Sequence, residues 1–185
     1  MPGKDKLTSA QNLDELFDVV NAHDEVVAQA TRREVHRREL FHRAVHVFVF
    51  GDDGRVFLQK RSMAKDRSPG LWDASCSGHV DAGEAYDAAA SRELREEIGL
   101  TPARPPERWL YVEAQAQTGW EFIWVYRVQG NGPFVLHPAE IECGEWSTWD
   151  EISLAVRLNP ERFTSPFRLI WARLCAQREL GGELR

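Results

Sequence analysis

Cysteine is scarce: Cys76, Cys143 and Cys175 are the only three, and no C-x-x-C pair occurs. An odd number without close spacing argues against a disulfide framework and a structural zinc site. All three are expected as reduced thiols packed like small apolar groups. No apolar run reaches the ~18 residues a membrane-spanning helix needs. The first ten residues hold no apolar signal-peptide core, so the cytoplasm is the expected compartment. Positive charge is in deficit, with 23 Lys and Arg against 29 Asp and Glu, a net charge of −6. Binding nucleic acid by bulk electrostatics is therefore disfavoured, and the Arg32-Arg33 and Arg37-Arg38 pairs are too few to reverse that. An acidic protein binds an acidic small molecule only through metal cations or a local basic patch. Internal repeats and low-complexity tracts are absent.

What is present suits a globular protein. A chain of 185 residues fits one domain. The expected division is a flexible N-terminal tail over 1–13 and a single domain over 14–185. Leu16 to Val20 and Val26 to Ala28 read as strands joined by a turn at 21–24. Residues 31–39, rich in Arg and His, read as a short helix capped by Thr31. Val45 to Phe50 and Val56 to Arg61 read as a hairpin around Gly51-Asp52-Asp53-Gly54. A polar loop follows, from Ser62 to Trp72. Residues 85–98 carry three consecutive alanines and stop at Gly99, which predicts a helix. Tyr86, Ala90, Leu94 and Ile98 give it an apolar stripe. Residues 109–117 and 121–128 read as strands, Trp149 starts a short helix, and Ser165-Pro166 opens a final one. Strands mixed with separated helices predict an α+β or α/β layered fold.

The chemistry concentrates in residues 78–100. On the helix, Glu93, Glu96 and Glu97 lie three and four residues apart, so they project from one side. At ~6 Å and an effective dielectric near 20, each like-charged pair repels by about 3 kcal/mol. A divalent cation turns that penalty into attraction, and hard carboxylate oxygens suit Mg²⁺ or Mn²⁺. Arg92 is placed to pair with Glu84 or Glu93 and fix a carboxylate in one rotamer. Gly78 and Gly83 free the preceding loop for close backbone approach. A solvated acidic helix face is the plain alternative for any single Glu-Glu pair, but not for this whole pattern.

The segment resembles the Nudix box, G-x5-E-x7-R-E-U-x-E-E-x-G-U with U aliphatic. Gly78, Glu84, Arg92, Glu93, Leu94, Glu96, Glu97, Gly99 and Leu100 fill every specified position. The resemblance implies a three-layer α/β/α sandwich around a central mixed β-sheet. It also implies Mg²⁺-dependent hydrolysis, with Mn²⁺ as a substitute, of a phosphoanhydride bond in a nucleoside-diphosphate-linked substrate. Glu93, Glu96, Glu97 and the Gly78 carbonyl would hold metal, with Arg92 and Glu84 in support. Glu96 is the first choice of catalytic base, and Glu140 is a distal candidate. Lys60 or Arg61 would bind the substrate diphosphate, and His79 would touch a phosphate. Lys65 and Arg67 read as solvated loop residues, and His36 and His46 as structural. Trp120 and Trp124 read better as core than as a stacking platform for a base. A homodimer is the expectation from common practice.

The segments 40–46, 58–62, 69–73 and 77–79 are similar to isopentenyl-diphosphate isomerases, a branch that protonates and deprotonates a C5 alkenyl diphosphate with a Cys and a Glu. The isomerase cysteine directly precedes the Gly-His pair, where this chain has Ser77. Cys76 stands one residue too early, and in a strand one residue reverses the facing side. The metal-site residues of that branch find partial matches in His42, His79 and Glu121, whereas the spacing from His36 to His42 is off. Hydrolase is therefore the expectation. An isomerase and a non-catalytic nucleotide-ligand sensor are the alternatives.

Overall fold

The computed structural model describes residues 12–181. Most of the tail expected over 1–13, and the last four residues of the chain, lie outside the described residues. Strand β1 (Leu16–Val20) and strand β2 (Val26–Thr31) form an antiparallel ribbon. Helix α1 (Arg32–Arg38) follows, and the Thr31 side chain accepts a hydrogen bond from the Glu34 amide, as an N-cap should.

The main sheet is mixed and seven-stranded. Its centre is β3 (His42–Phe50), parallel along nine residues to β8 (Glu121–Gln129). Strand β4 (Val56–Arg61) forms the hairpin with β3, and the short β5 (Trp72–Asp73) pairs with β4. Strand β6 (Cys76–His79) takes the other half of β3, β7 (Glu107–Val112) flanks β8, and β9 (Ile141–Ser147) flanks β4. The two-residue period of β3 builds two cores. Val45, Val47 and Val49 face helix α2 (Tyr86–Ile98), against Ala90, Leu94 and Ile98. Ala44 and Phe48 face helix α4 (Ser165–Glu179), whose Phe167, Ile170, Trp171 and Leu174 recur at helical spacing. Helix α3 (Trp149–Leu158) adds Ile152 to the second core and starts from a capping box between Thr148 and Glu151. Helices thus cover both faces of a central mixed sheet. Among the described residues, no helix is long and apolar enough to cross a membrane.

Three strands escaped the reading by pattern. Strands β5 and β6 are too short to show a period. Strand β9 carries Glu142, Glu145 and Gly144, poor strand formers. Gly144 is there because a Cβ would lie 2.0 Å from the Phe57 ring. Strand β7 is shifted from its expected range, because residues 116–118 wind into a 3₁₀ turn.

Candidate active site

Helix α2 presents two faces at once. Its apolar stripe enters the core, while Glu93 and Glu97 lie beside that stripe, only 8% and 3% exposed. Glu97 is held by neutral donors: Gln59 Nε2 at 3.1 Å and the Ser77 amide at 3.0 Å both donate to its Oε2. Glu93 lies directly under Gly78. A Cβ on that glycine would stand 2.0 Å from Glu93 Oε1, so the strand makes room for the carboxylate by having no side chain. Gly78→Ala is expected to push Glu93 off Arg92 and to destabilise the protein by about 1–3 kcal/mol, as overpacking does. Urea unfolding measures this, and an unchanged midpoint would contradict the close approach.

Arg92 organises the cluster. Its Nε donates to Glu84 Oε1 at 3.0 Å and its Nη2 to Glu84 Oε2 at 2.8 Å, a bidentate pair. Its Nη1 reaches Glu93 Oε1 at 2.7 Å and Glu96 Oε2 at 3.2 Å, and Nη2 also donates to the His79 carbonyl at 2.9 Å. One guanidinium therefore fixes three carboxylates and the loop before the helix. It does not neutralise them all. Burial, then the nearby Glu97 charge, pushes the Glu93 carboxyl up to about 8 against the opposing pull of Arg92. Burial likewise raises Glu97, with Lys65 opposing. Glu96 remains open, with its side chain 61% exposed at the rim.

These carboxylates line a cavity of about 570 Å³. Besides Arg92, the cations Arg32, Arg61, Lys65 and Arg67 line it as well. Strand alternation sorts the pair at the end of β4. Gln59 and Arg61 turn inward, while Lys60 turns outward to Glu142 at 2.8 Å and is not among the cavity-lining residues. Arg61, expected beside Lys60 as a diphosphate ligand, does line the cavity, close to Asp73 (3.7 Å). Lys65, read as solvated, points in instead, whereas Arg67 lines the cavity and stays exposed as expected. The Ser62–Trp72 loop folds back over the site, with the Ser62 amide bonded to the Glu140 carbonyl at 2.9 Å. Arg32 had no sequence signal of its own. It is buried, bonded to His79 Nδ1 at 2.9 Å and to Asp66 at 3.2 Å.

A second cluster adjoins the cavity. His36, His42 and His79 bring ligand atoms within 4.8 Å of one another. A guanidinium can only donate, so Arg32 makes His79 Nδ1 an acceptor and leaves Nε2–H to donate to Glu121 at 3.1 Å. His42 Nδ1 faces the Leu40 carbonyl at 2.8 Å, and its buried Nε2 lies 3.6 Å from Glu121 Oε1 with no hydrogen-bond partner among the described residues. Burial first, then neighbouring positive charge, lowers His36 to about 4, and burial lowers His79 to about 3. Burial acts on Glu121 too, but His42 and His79 outweigh it and hold its carboxyl well below the usual range. Neutral imidazoles and an ionised carboxylate are donor types a divalent ion takes, but with Nδ1 accepting from Arg32 and Nε2–H donating to Glu121, His79 has no lone pair left to offer one. The irregular spacing of His36 is absorbed by the left-handed turn at Glu39, φ 52°, which ends α1.

The remaining expectations separate by location. Glu140 lines the cavity beside Lys65. His46 is buried 3.4 Å from Asp73 and also lines it. Trp124 packs on Tyr111, with ring centres 5.0 Å apart, under the Arg108 guanidinium. Trp120 packs on Phe41. Neither tryptophan lines the cavity, and no Phe, Tyr or Trp does among the described residues. Ser77 lines it, whereas Cys76 is sealed in the core behind α2.

Residues 40–166 match the family model described as NUDIX domain. A protein of Streptomyces coelicolor named uncharacterized Nudix hydrolase SCO1686 is 35% identical over 172 residues, covering 91% of this chain and 93% of that protein. An isopentenyl-diphosphate Delta-isomerase of Serratia proteamaculans is 33% identical over 179 residues, covering 89% of this chain and 99% of that protein. Among solved structures, DR0079 of Deinococcus radiodurans superposes with a TM-score of 0.77 at 29% identity, over 86% of this chain and 98% of its own.

Proposed function

Since the chain belongs to the Nudix family, we propose that it is a Mg²⁺-dependent hydrolase that cleaves a phosphoanhydride bond in a nucleoside-diphosphate-linked substrate. One observation carries this reading: buried Glu93 and Glu97 share with Glu140 a cavity that Arg61, Lys65 and Arg67 also line. Two carboxyls pushed up by burial, Glu93 further by the Glu97 charge and Glu97 by Glu140, are a site short of positive charge. Hard oxygen donors fit Mg²⁺, with Mn²⁺ as a substitute. Glu93, Glu96, Glu97 and the Gly78 carbonyl would hold it. A metal bound there supplies polarisation of the phosphoryl oxygens and a more acidic water.

The chain's own residues do the rest. Arg92 locks Glu93 in one orientation through a 2.7 Å bond. Arg61, Lys65 and Arg67 bind the phosphate oxygens and place the anhydride beside the carboxylates. Glu96, exposed at the rim, accepts the proton of the attacking water, and Glu140 is the second candidate for that role. His79, bridged between Arg32 and Glu121, orients the wall next to the phosphates. The isomerase alternative is weaker, because the thiol that branch uses is absent from the cavity: Ser77 occupies the place and its hydroxyl is a far weaker acid.

The test is a phosphate- and nucleotide-release screen over nucleoside-diphosphate derivatives, run with Mg²⁺, with Mn²⁺ and with chelator. Turnover is expected with either metal, lost on chelation and regained on adding metal back. Nucleotide binding without any turnover would favour a ligand sensor. Deuterium uptake into an alkenyl diphosphate would favour the isomerase.

A further inference from the structure

Lys65 occupies an unusual place for a loop lysine. Its side chain is only 9% exposed. Its ammonium donates to the Glu140 carboxylate and lies 3.9 Å from Glu97 Oε1. Its backbone is tied into the same corner: the Lys65 amide bonds to the Ser62 carbonyl, and the Ser62 amide to the Glu140 carbonyl. Glu97 comes from α2 and Glu140 from the turn before β9, so one ammonium joins two elements that carry like charge. Arg92 serves Glu93 in the same way but also grips Glu84 and the His79 carbonyl, which fix it in place. Lys65 has no comparable bidentate anchor. A flexible four-carbon stem connects its charge to the loop, and an ammonium is a point charge that changes partners readily.

We propose that Lys65 is a built-in counter-cation. It neutralises Glu97 and Glu140 while no divalent ion is bound, must withdraw when one enters, and then serves the substrate phosphates. This rests on the hydrolase reading above. Metal and ammonium compete for the same carboxylates, so each lowers the other's affinity. The phosphates favour the arrangement in which both cations are engaged, which couples substrate binding to metal binding.

A plain structural salt bridge and a competing counter-cation predict opposite signs. If Lys65 only braced the site, its removal would loosen the carboxylates and weaken metal binding. If it competes, removal strengthens metal binding and weakens substrate binding together. The experiment titrates Mn²⁺ into the metal-free full-length protein, following free Mn²⁺ by electron paramagnetic resonance, with no substrate present. Wild type, Lys65→Met, Lys65→Gln and Glu97→Gln are compared after thermal melts show each to be folded. Both neutral Lys65 variants are expected to bind Mn²⁺ roughly tenfold more tightly, and their KM for the best substrate to rise. Lys65→Arg keeps the charge and is expected to stay near wild type in Mn²⁺ affinity. Equal or weaker Mn²⁺ binding in the neutral variants overturns the counter-cation role. Absence of any Mn²⁺ binding that Glu97→Gln removes overturns the metal reading itself, so the two failures are distinguishable.

Discussion

Glu97→Gln is expected to lower kcat/KM by about 10³-fold or more while leaving the protein folded. The side chain keeps its volume, and its amide oxygen can still accept from the Ser77 amide and Gln59 Nε2, the two donors that hold Glu97 at 3.0 and 3.1 Å. What changes is charge. The amide nitrogen turns toward the corner where Lys65 stands 3.9 Å away, and a donor there repels any cation. Metal-free stability should change little, because relief of the burial that disfavours the Glu97 carboxylate is offset by loss of its pairing with Lys65. Steady-state kinetics with saturating Mg²⁺, together with a thermal melt in chelator, checks both halves. Activity within tenfold of wild type would sink the assignment of Glu97 as a ligand. Collapse of the fold would mean that its hydrogen bonds matter more than its charge.

Much of this was legible in the sequence because it depends on local spacing. Three glutamates within five residues, an arginine next to the first and a glycine at the stop define a helix and its charged side. Helix α2 follows with its ends nearly where the pattern puts them. The apolar stripe also gave the burial of Leu94 and Ile98. What could not be read is what depends on how distant segments meet. Lys60 and Arg61 are adjacent in sequence, and only the strand pairing of β4 with β9 decides that Arg61 turns in and Lys60 turns out to Glu142. Lys65 and Arg67 look like any polar loop until that loop closes over Glu140. Arg32 and His36 lie on a helix too short for a moment and enter the site only because the β1–β2 ribbon carries α1 there. The signal for Arg32 and His36 is a collective one, a run of basic residues and histidines directly before a strong strand, in a chain otherwise short of positive charge.

Metal-free protein should lose stability as pH rises from 6.5 to 8, and divalent metal should remove that loss. Glu93 sets the slope. Its carboxyl is pushed up to about 8 by burial and by the Glu97 charge, against an ordinary value near 4.3. A carboxyl raised in the folded state holds its proton more tightly there than in the unfolded chain. Its stabilisation is complete below the unfolded pKa and disappears as pH climbs through the folded one. Other groups act in other windows. His36 and His79, lowered to about 4 and 3 mainly by burial, raise stability with pH only up to their unfolded value near 6.5. Glu121 and Asp73, held below the usual range, finish titrating at more acid pH. Cys76, raised by burial, acts only above about pH 8.5. Among these groups Glu93 is the one whose raised value places its titration in the interval from 6.5 to 8, and about 1.5 pKa units there correspond to roughly 2 kcal/mol. Thermal melts at both ends of the interval, in chelator and in excess Mg²⁺, measure it. Glu93→Gln should flatten the profile in chelator without the help of metal. A wild-type melting temperature independent of pH in chelator would mean that Glu93 is already ionised and adequately neutralised, and that Arg92 alone balances it. The same carboxyls that destabilise the metal-free protein at neutral pH are then those a divalent ion would stabilise most, which ties the fold's weakest electrostatic point to the chemistry proposed for it.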